Sequence, residues 1–293
     1  MNKVIILIVS LTAIYSSLTW SQDFSSTKIK VTPAAGDVYM LQGAGGNIGV
    51  LATKEGLLLV DDEFYPLAQR IEEAMHSIVK KLKFPNQLKY IVNTHYHGDH
   101  TGSNGYFSDK APIFAHENVR HRLHQDDKID VKALPVVTYL GGLNIHLDQE
   151  NIQLTHLPNG HTDGDSIVYF KKANVLQTGD LFFELGFPFI DLKSGGSVRG
   201  YLANVHYMLE HTPDDVVIIP GHGEITNKTA LKAFAKMIED SISLVTQSLA
   251  QGKSEADIIS DGISDNYKHL SWSFITEERW LKTLVADLSK LNR

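Results

Sequence analysis

Cysteine is absent from this chain of 293 residues. Without thiol groups the protein forms no disulfide bond, and any metal ion that it binds must be held by nitrogen and oxygen atoms alone. The absence is compatible with an oxidising compartment, but it would be tolerated in any other compartment as well. Cysteine content therefore restricts the chemistry of a metal site and leaves the location of the protein open.

Clusters of basic residues are also missing. The chain has 27 lysine and arginine residues against 34 aspartate and glutamate residues, which gives a formal net charge of −7. A surface that binds nucleic acid usually needs clustered lysine and arginine, so no nucleic-acid partner is expected. No internal repeat or low-complexity tract is evident, and the composition is otherwise that of an ordinary globular protein.

Long apolar runs are absent after the N-terminal segment. Met1–Lys3 is a short positive stretch, and Val4–Ile14 is mostly apolar but shorter than the roughly 20 residues that span a bilayer. This pattern predicts a signal peptide over residues 1–21, cleaved after Ser21, and a single domain over residues 22–293. An uncleaved membrane anchor is the alternative. With cleavage we expect a periplasmic or secreted protein without stable membrane insertion after processing.

Strand-like and helix-like segments alternate twice along the chain. Four short runs between Lys28 and Asp62 are rich in valine, leucine and isoleucine and are separated by glycine, which predicts a strand meander. Tyr65–Lys83 then changes to helical spacing. A second strand-rich block precedes a mostly helical segment from Asn227 to the end. The order predicts an α/β fold, an αββα sandwich of two mixed β-sheets flanked by helices, with two similar halves that divide near Pro85.

Histidines and aspartates follow the ends of several predicted strands. The segment THYHGDHTG, residues 94–102, comes directly after a buried strand and holds three histidines and one aspartate within six positions. Three later strands also end in short glycine-containing loops with a histidine or an aspartate. Because loops at the carboxyl ends of neighbouring strands converge on one crevice, we expect these side chains to meet. The predicted metal ligands are His95, His97, Asp99, His100, His161, Asp180 and His222.

Seven such side chains suit a pair of zinc ions, which are the predicted cofactor. His95 and His97 lie on the same side of an extended backbone, and His161 would complete a tetrahedral site with a water. The carboxylate of Asp180 can bridge two ions through its two oxygens. The ligands left for the second ion are Asp99, His100 and His222. The alternative, a polar loop that is rich in histidine by chance, is disfavoured by the ordered motifs later in the chain.

Nine further histidines lack this context, and we expect them to be ordinary surface or core residues. They are His76, His116, His121, His124, His146, His156, His206, His211 and His269.

The motif set resembles that of the metallo-β-lactamase superfamily of binuclear hydrolases, and the resemblance covers almost all of the chain after the predicted leader. It implies an αββα sandwich and the seven ligands given above. Asp61, at the end of the run LLLVDD, resembles the family's strand-ending aspartate. We expect it to support a ligand rather than to bind metal. Asp99 is the predicted catalytic residue, because it can also orient the attacking hydroxide.

The substrate is expected to be a small molecule. Members with a cysteine ligand would carry it near Asp180, and the lysine or tyrosine that relatives place close by is Phe183 here. The other candidates for holding a substrate carboxylate or carbonyl are the metal ions alone, Lys193 and Arg199. Four phenylalanines between residues 181 and 196 predict a partly apolar pocket wall. Two zinc ions, two carboxylates and one hydroxide sum to about +1, a mild preference for an anionic substrate.

These features predict an exported, β-lactamase-like hydrolase that cleaves a cyclic amide or ester bond. One alternative is a lactonase, esterase or thioesterase of the glyoxalase II kind on the same two ions. Another is a non-catalytic periplasmic carrier of a small anionic cofactor, which the full ligand set disfavours because a carrier needs no open zinc site. The sequence leaves the natural substrate and the oligomeric state open.

Overall fold

The structure, a computed structural model, describes residues 23–292, so the predicted signal peptide at residues 1–21 lies outside the described residues. The strands of the described part are β1 (Lys30–Ala35), β2 (Val38–Gln42), β3 (Ile48–Thr53), β4 (Gly56–Val60), β5 (Leu88–Val92), β6 (Ile113–His116), β7 (Val137–Tyr139), β8 (Gly142–Leu147), β9 (Glu150–His156), β10 (Ser166–Phe170), β11 (Val175–Gln177), β12 (Val217–Ile219) and β13 (Thr226–Asn227). The α-helices are α1 (Ala68–Leu82), α2 (Gly98–Thr101), α3 (Asn104–Phe107), α4 (Glu117–His124), α5 (Val198–His211), α6 (Lys228–Ala250), α7 (Glu255–Asp261) and α8 (Glu277–Leu288). Among residues 23–292, no helix combines the length and the apolar character needed to cross a membrane.

The strands form two sheets. The first contains β1 to β7 in chain order, and the second has the order β13, β12, β11, β10, β9, β8. In the first sheet, neighbours are antiparallel from β1 to β4 and parallel from β4 to β7. In the second sheet, β11 and β12 are parallel and the other neighbours are antiparallel. Both sheets are therefore mixed, as predicted.

The expected division of the fold near Pro85 is wrong. The first sheet continues to Tyr139, and the second begins at Gly142. The reason is that β5 pairs in parallel with β4 after the chain crosses over through α1. A parallel pair needs such a crossover connection, and the order of elements alone does not reveal which earlier strand the returning strand joins.

Side chains of β4 alternate between two cores. Leu57 and Leu59 pack in the core between the first sheet and α1, whereas Leu58 and Val60 pack in the core between the two sheets. All four are buried. Successive residues of a strand point to opposite faces, so a strand covered on both faces is apolar at every position. This explains the uninterrupted run GLLLV.

Helix α1 covers the outer face of the first sheet through the stripe that its spacing predicts. Ile71, Met75 and Ile78 on this stripe are buried. Pro66 lies in a 3₁₀ turn just before the helix. The helix ends where Lys83 takes a left-handed conformation with φ of 60°.

Helices α5, α6 and α8 cover the outer face of the second sheet. Tyr201 of α5, Phe234 of α6 and Trp280 of α8 belong to one core with residues of that sheet. The layers therefore follow the order helix, sheet, sheet, helix. The predicted αββα sandwich is confirmed.

Strand ends of both sheets meet at one edge of the sandwich. There β5 leads into the loop with His95, β9 into the loop with His161, β11 into the loop with Asp180 and β12 into the loop with His222. The edge is where the carboxyl ends of these strands open into loops, the place where ligands bind in layered α/β folds.

Candidate metal centre

Four of the predicted ligands form one group. His95, His97, His161 and Asp180 each offer a ligand atom within 4.8 Å of the others. His97 Nδ1 lies 3.1 Å from His95 Nε2 and 2.8 Å from His161 Nε2. Ligands on a tetrahedral zinc ion, with bonds of about 2.0–2.1 Å, lie about 3.3 Å apart. The group therefore has the dimensions of a single zinc site.

The other three predicted ligands, Asp99, His100 and His222, form a second group. Asp99 Oδ2 lies 3.4 Å from His222 Nε2 and 3.7 Å from His100 Nε2. The structure thus brings together all seven side chains and sorts them in the way that the sequence predicts.

Asp180 lies between the two groups and faces each with a different oxygen. Its Oδ2 is 3.4 Å from His161 Nε2 and 3.8 Å from His95 Nε2. Its Oδ1 is 3.0 Å from His100 Nε2 and 3.4 Å from His222 Nε2. This is the arrangement of a carboxylate that can bridge two ions.

Two buried atoms at the centre lack hydrogen-bond partners. His100 Nε2 and Asp180 Oδ1 are unpaired among the described residues, although they lie only 3.0 Å apart. Buried polar atoms are nearly always hydrogen-bonded, because the loss of water would otherwise be uncompensated. Two unpaired atoms this close together fit a bound cation, and the nitrogen and oxygen donors are those that zinc accepts.

The charges at the centre also favour a cation. Burial works against ionisation of Asp180, but His100 and His222 beside it hold the pKa of Asp180 well below its ordinary value. Burial likewise opposes protonation of His222, yet Asp180 raises the pKa of His222 to about 9. The carboxylates therefore create a negative potential that draws positive charge to the nitrogens, which a metal ion would satisfy in place of protons.

Asp61 has the supporting position expected for it. Its Oδ2 is 2.8 Å from His100 Nδ1, the ring nitrogen that faces away from Asp180. The Asp61 carboxylate also accepts two hydrogen bonds of 2.8 Å from Thr94, one from the backbone N–H to Oδ1 and one from the hydroxyl to Oδ2. Asp61 has a φ of 61°, an uncommon conformation for a residue other than glycine. A carboxylate on the distal nitrogen fixes the ring orientation of a metal-binding histidine.

Asp191 is a supporting residue that the sequence analysis missed. Its Oδ2 lies 3.3 Å from His97 Nε2 and accepts a hydrogen bond of 2.8 Å from the hydroxyl of Tyr96. The hydrogen bond with His97 holds the pKa of the Asp191 carboxyl well below its usual range. The position follows the phenylalanine-rich loop and precedes a turn with glycine, but no local pattern links it to a histidine 94 residues earlier.

The glycine-rich loop at residues 43–46 packs against the second group of ligands. Gly46 approaches the His100 ring so closely that a Cβ atom there would collide with it. The loop is held by Glu63, whose carboxylate accepts hydrogen bonds from the backbone N–H groups of Ala44 and Gly45 at 3.0 and 3.1 Å. Glu63 was not predicted either, although the unusual run of acidic residues DDE is a signal at this position.

A cavity of about 670 Å³ opens above both groups. Its lining includes Asp99, Asp180 and His222 together with aromatic side chains. Phe183 is one of these, and its ring stacks on that of His222 at 5.1 Å. The expected apolar wall is therefore present. Lys193 and Arg199, considered above as partners for a substrate carboxylate, do not line this cavity.

The nine other histidines lie outside the two groups. His116 and His156, which belong to neither group, are notable because their rings stack with centroids 3.6 Å apart. His116 also caps α4 by accepting a hydrogen bond from the backbone N–H of Asn118.

A sandwich of this kind with clusters of nitrogen and oxygen ligands at one edge has the architecture of a metal-dependent hydrolase. The family model described as "Metallo-beta-lactamase superfamily" matches residues 41–225. This is more than half of the chain, and the chain belongs to that superfamily. The expected family is confirmed, and with it the assignment to a family of hydrolytic enzymes.

Curated relatives cover parts of the chain. The "Probable metallo-hydrolase YqgX" of Bacillus subtilis is 29% identical over 47% of this chain and 69% of its own length. A "Hydroxyacylglutathione hydrolase" of Pelagibacter ubique is 33% identical over 37% of this chain and 43% of its own length. "Metallo-beta-lactamase IND-1" of Chryseobacterium indologenes is 25% identical over 59% and 70%. The match spans less than half of the Pelagibacter relative.

Solved structures share the fold at low identity. A "Metallo-beta-lactamase from Pontibacter korlensis" superposes with a TM-score of 0.62 and 18% identity, covering 73% of this chain and 100% of its own. A double mutant of the sec-alkyl sulfatase PisA1 superposes with a TM-score of 0.68 and 14% identity, covering 88% of this chain and 50% of its own. These likenesses support the architecture described above.

Proposed function

We propose that this protein is an exported, zinc-dependent hydrolase of a small molecule that cleaves a cyclic amide or ester bond. The observation that carries the proposal is the position of Asp180, whose two oxygens face two separate groups of ligands. A carboxylate placed in this way could be shared by two metal ions, as in two-metal hydrolytic sites.

Each part of the site has a role in such a reaction. Bound zinc supplies Lewis acidity and lowers the pKa of water toward neutrality. His95, His97 and His161 would hold one ion, and Asp99, His100 and His222 the other, with Asp180 shared. Asp99 lines the cavity and is partly exposed. Its carboxylate can accept a proton from the attacking water or hold that water in line with the substrate carbonyl.

Thioester hydrolysis is the second candidate. It is favoured by the relatives that carry the description hydroxyacylglutathione hydrolase, and by an aspartate rather than a cysteine at position 180. The cavity lining argues against this candidate. The residues that line the cavity include neither lysine nor arginine, which could bind the carboxylates of a glutathione group. For this reason we place the cyclic amide or ester first.

A substrate panel on the zinc-loaded protein tests the proposal. The hydrolysis rates of a β-lactam, a lactone, a simple carboxylic ester and a thioester are compared, with the chelated apoprotein as the control for each. We expect metal-dependent turnover that is fastest for the lactam or the lactone. A preference for the thioester would select the second candidate. No metal-dependent turnover of any of the four would overturn the proposal and leave a non-catalytic binding protein.

A further inference from the structure

Four aromatic side chains form a continuous wall along one side of the cavity. We call Phe183, Phe189, Trp272 and Phe274 the aromatic arc. Ring centroids are 5.4 Å apart for Phe189 and Phe274, 5.7 Å for Phe274 and Trp272, and 6.2 Å for Trp272 and Phe183. All four line the cavity. These separations lie in the range of favourable aromatic pairs.

The aromatic arc connects the two groups of ligands. At one end Phe189 stacks on the His97 ring with centroids 5.8 Å apart. At the other end Phe183 stacks on the His222 ring at 5.1 Å. A substrate whose reacting bond lies between the two groups would therefore have its nearest substituent against the arc.

Half of the arc comes from a segment beyond the region that matches the family model. That region ends at residue 225, whereas Trp272 and Phe274 lie between α7 and α8. The segment is attached to the loop after Asp180: Phe187 donates its backbone N–H to Leu270 O, and Trp272 Nε1 donates to Phe187 O, both at 3.0 Å. Its position is thus fixed by two hydrogen bonds with the backbone of Phe187.

The residues that line the cavity include neither lysine nor arginine. The two carboxylates in the lining, Asp99 and Asp180, belong to the candidate metal ligands. Arg279 lies nearby, yet it packs on the faces of Phe274 and Phe189 at 4.2 and 5.2 Å and donates a hydrogen bond to Phe274 O. Its guanidinium therefore stabilises the arc and is not one of the groups that line the cavity.

We propose that the aromatic arc is an apolar subsite that binds an uncharged aromatic ring or alkyl chain attached to the scissile carbonyl of the substrate. This proposal rests on the proposed function for the position of the carbonyl, and it names the class of substrate. Removal of apolar surface from water favours binding in proportion to the area buried, and aromatic pairs add further attraction. A carboxylate on the same substituent would meet the arc with no cationic partner in the lining.

Binding of a neutral probe tests the subsite without catalysis. Trp272 lines the cavity and is partly exposed, whereas Trp280 is fully buried, so tryptophan fluorescence can report occupancy. The zinc-loaded protein is titrated with 4-phenylbutanamide and, as the control for the amide group, with acetamide. We expect the phenyl compound to bind at least about tenfold more tightly. Equal dissociation constants for the two amides would show that the aromatic arc is not an apolar subsite.

A pair of variants assigns the binding to the arc. Phe274 is 46% exposed, so Phe274→Ala should fold normally. Leu140→Ala, the control, removes an exposed apolar side chain at the junction of the two sheets, outside the cavity lining. Phe274→Ala should weaken 4-phenylbutanamide binding at least about fivefold and leave acetamide unchanged. Leu140→Ala should change neither. Unchanged affinity in Phe274→Ala, or equal loss in both variants, would overturn the assignment.

Hydrolysis of three esters with one leaving group links the subsite to turnover. For 4-nitrophenyl hexanoate, kcat/KM should exceed that for the acetate, and also that for the mono-4-nitrophenyl ester of adipic acid, by at least about tenfold. Equal values would overturn the preference for an apolar, uncharged group. If none of the three esters is hydrolysed and the substrate panel is also negative, the proposed function is wrong. The binding titration with the two amides would still show whether the subsite exists.

Discussion

Asp191 Oδ2 lies 3.3 Å from Nε2 of His97, the ring nitrogen that points away from the other predicted ligands. The same oxygen accepts a hydrogen bond from Tyr96. This second contact holds the Asp191 carboxylate in place, so that it can orient the imidazole of His97. His97 is the most exposed histidine of its group, and its orientation therefore depends most on a partner. The relationship makes Asp191 a positioning residue for His97, one of the candidate metal ligands.

Replacing this carboxylate should weaken metal binding. Asp191→Asn keeps the size of the side chain but removes the charge that stabilises the His97 orientation. We expect zinc affinity, measured by competition with a chromophoric chelator, to fall about 10- to 100-fold. Asp215→Asn makes the same change on the surface and should leave affinity unaltered. Equal affinities of Asp191→Asn and the wild type would show that the contact has no positioning role.

Metal content should approach two equivalents of zinc per chain. Seven ligand side chains in two groups are too many for one tetrahedral ion. Elemental analysis of protein equilibrated with excess zinc measures the ratio directly. Chelation should also lower the melting temperature, because it leaves buried atoms such as His100 Nε2 without a partner. One equivalent at saturating zinc would exclude the two-metal interpretation.

Asp180 should matter more for turnover than for folding. Asp180→Asn keeps the shape but weakens one oxygen as a ligand and removes a negative charge between the two groups. We expect the turnover number to fall at least about 100-fold, as for loss of a positioned electrostatic element. Six ligands remain, so the fold should persist by circular dichroism. Asp180→Cys should be milder, since a thiolate also binds zinc. Near-normal turnover of Asp180→Asn with two ions bound would contradict the bridging role.

Acid should destabilise the fold partly through the stacked pair His116 and His156. Burial, with the charge of His156, lowers the pKa of His116 from 6.5 to about 4. The unfolded chain therefore binds more protons between these values, and stability that is present above pH 6.5 is lost as the pH falls toward 4.

A substitution isolates this contribution from that of the metal ligands. His116→Asn retains a cap for α4 but does not titrate. The decrease in the free energy of unfolding between pH 7.5 and pH 5, measured with urea, should be smaller by about 1 kcal/mol in this variant, after allowance for solvent screening. His146→Asn, on an exposed strand position, should match the wild type. An identical decrease in His116→Asn would exclude the pair as an acid-sensitive element.

Export should be visible as a shortened chain. The leader pattern predicts that cleavage after Ser21 leaves Gln22 as the first residue. Mass spectrometry of the protein recovered from the periplasmic or extracellular fraction should give a mass that begins near Gln22. A chain with Met1 intact in the membrane fraction would favour the anchor instead.

The sequence alone determined the fold class and the members of the candidate site. Period-two and period-3.6 patterns are local, so strands such as GLLLV and the helix after Tyr65 can be predicted from neighbouring residues. The candidate ligands were also predictable, because each follows the end of a buried strand and such ends converge. The chemical type of the side chains narrowed the choice further: with no cysteine, the ligands had to be nitrogen and oxygen donors, and the strand ends carry histidine and aspartate.

Tertiary structure decided which distant residues meet. The pairing of β5 with β4 placed the boundary between the sheets at residues 140–141, where the chain order had suggested Pro85. Asp191 reaches His97 across 94 positions, and Trp272 reaches the cavity from beyond the matched region. No periodic pattern encodes such contacts, since they depend on the path of the whole chain through the packed layers. The residues that support the candidate ligands and those that line the cavity are therefore determined by tertiary packing. The candidate ligands at strand ends can be predicted from local sequence.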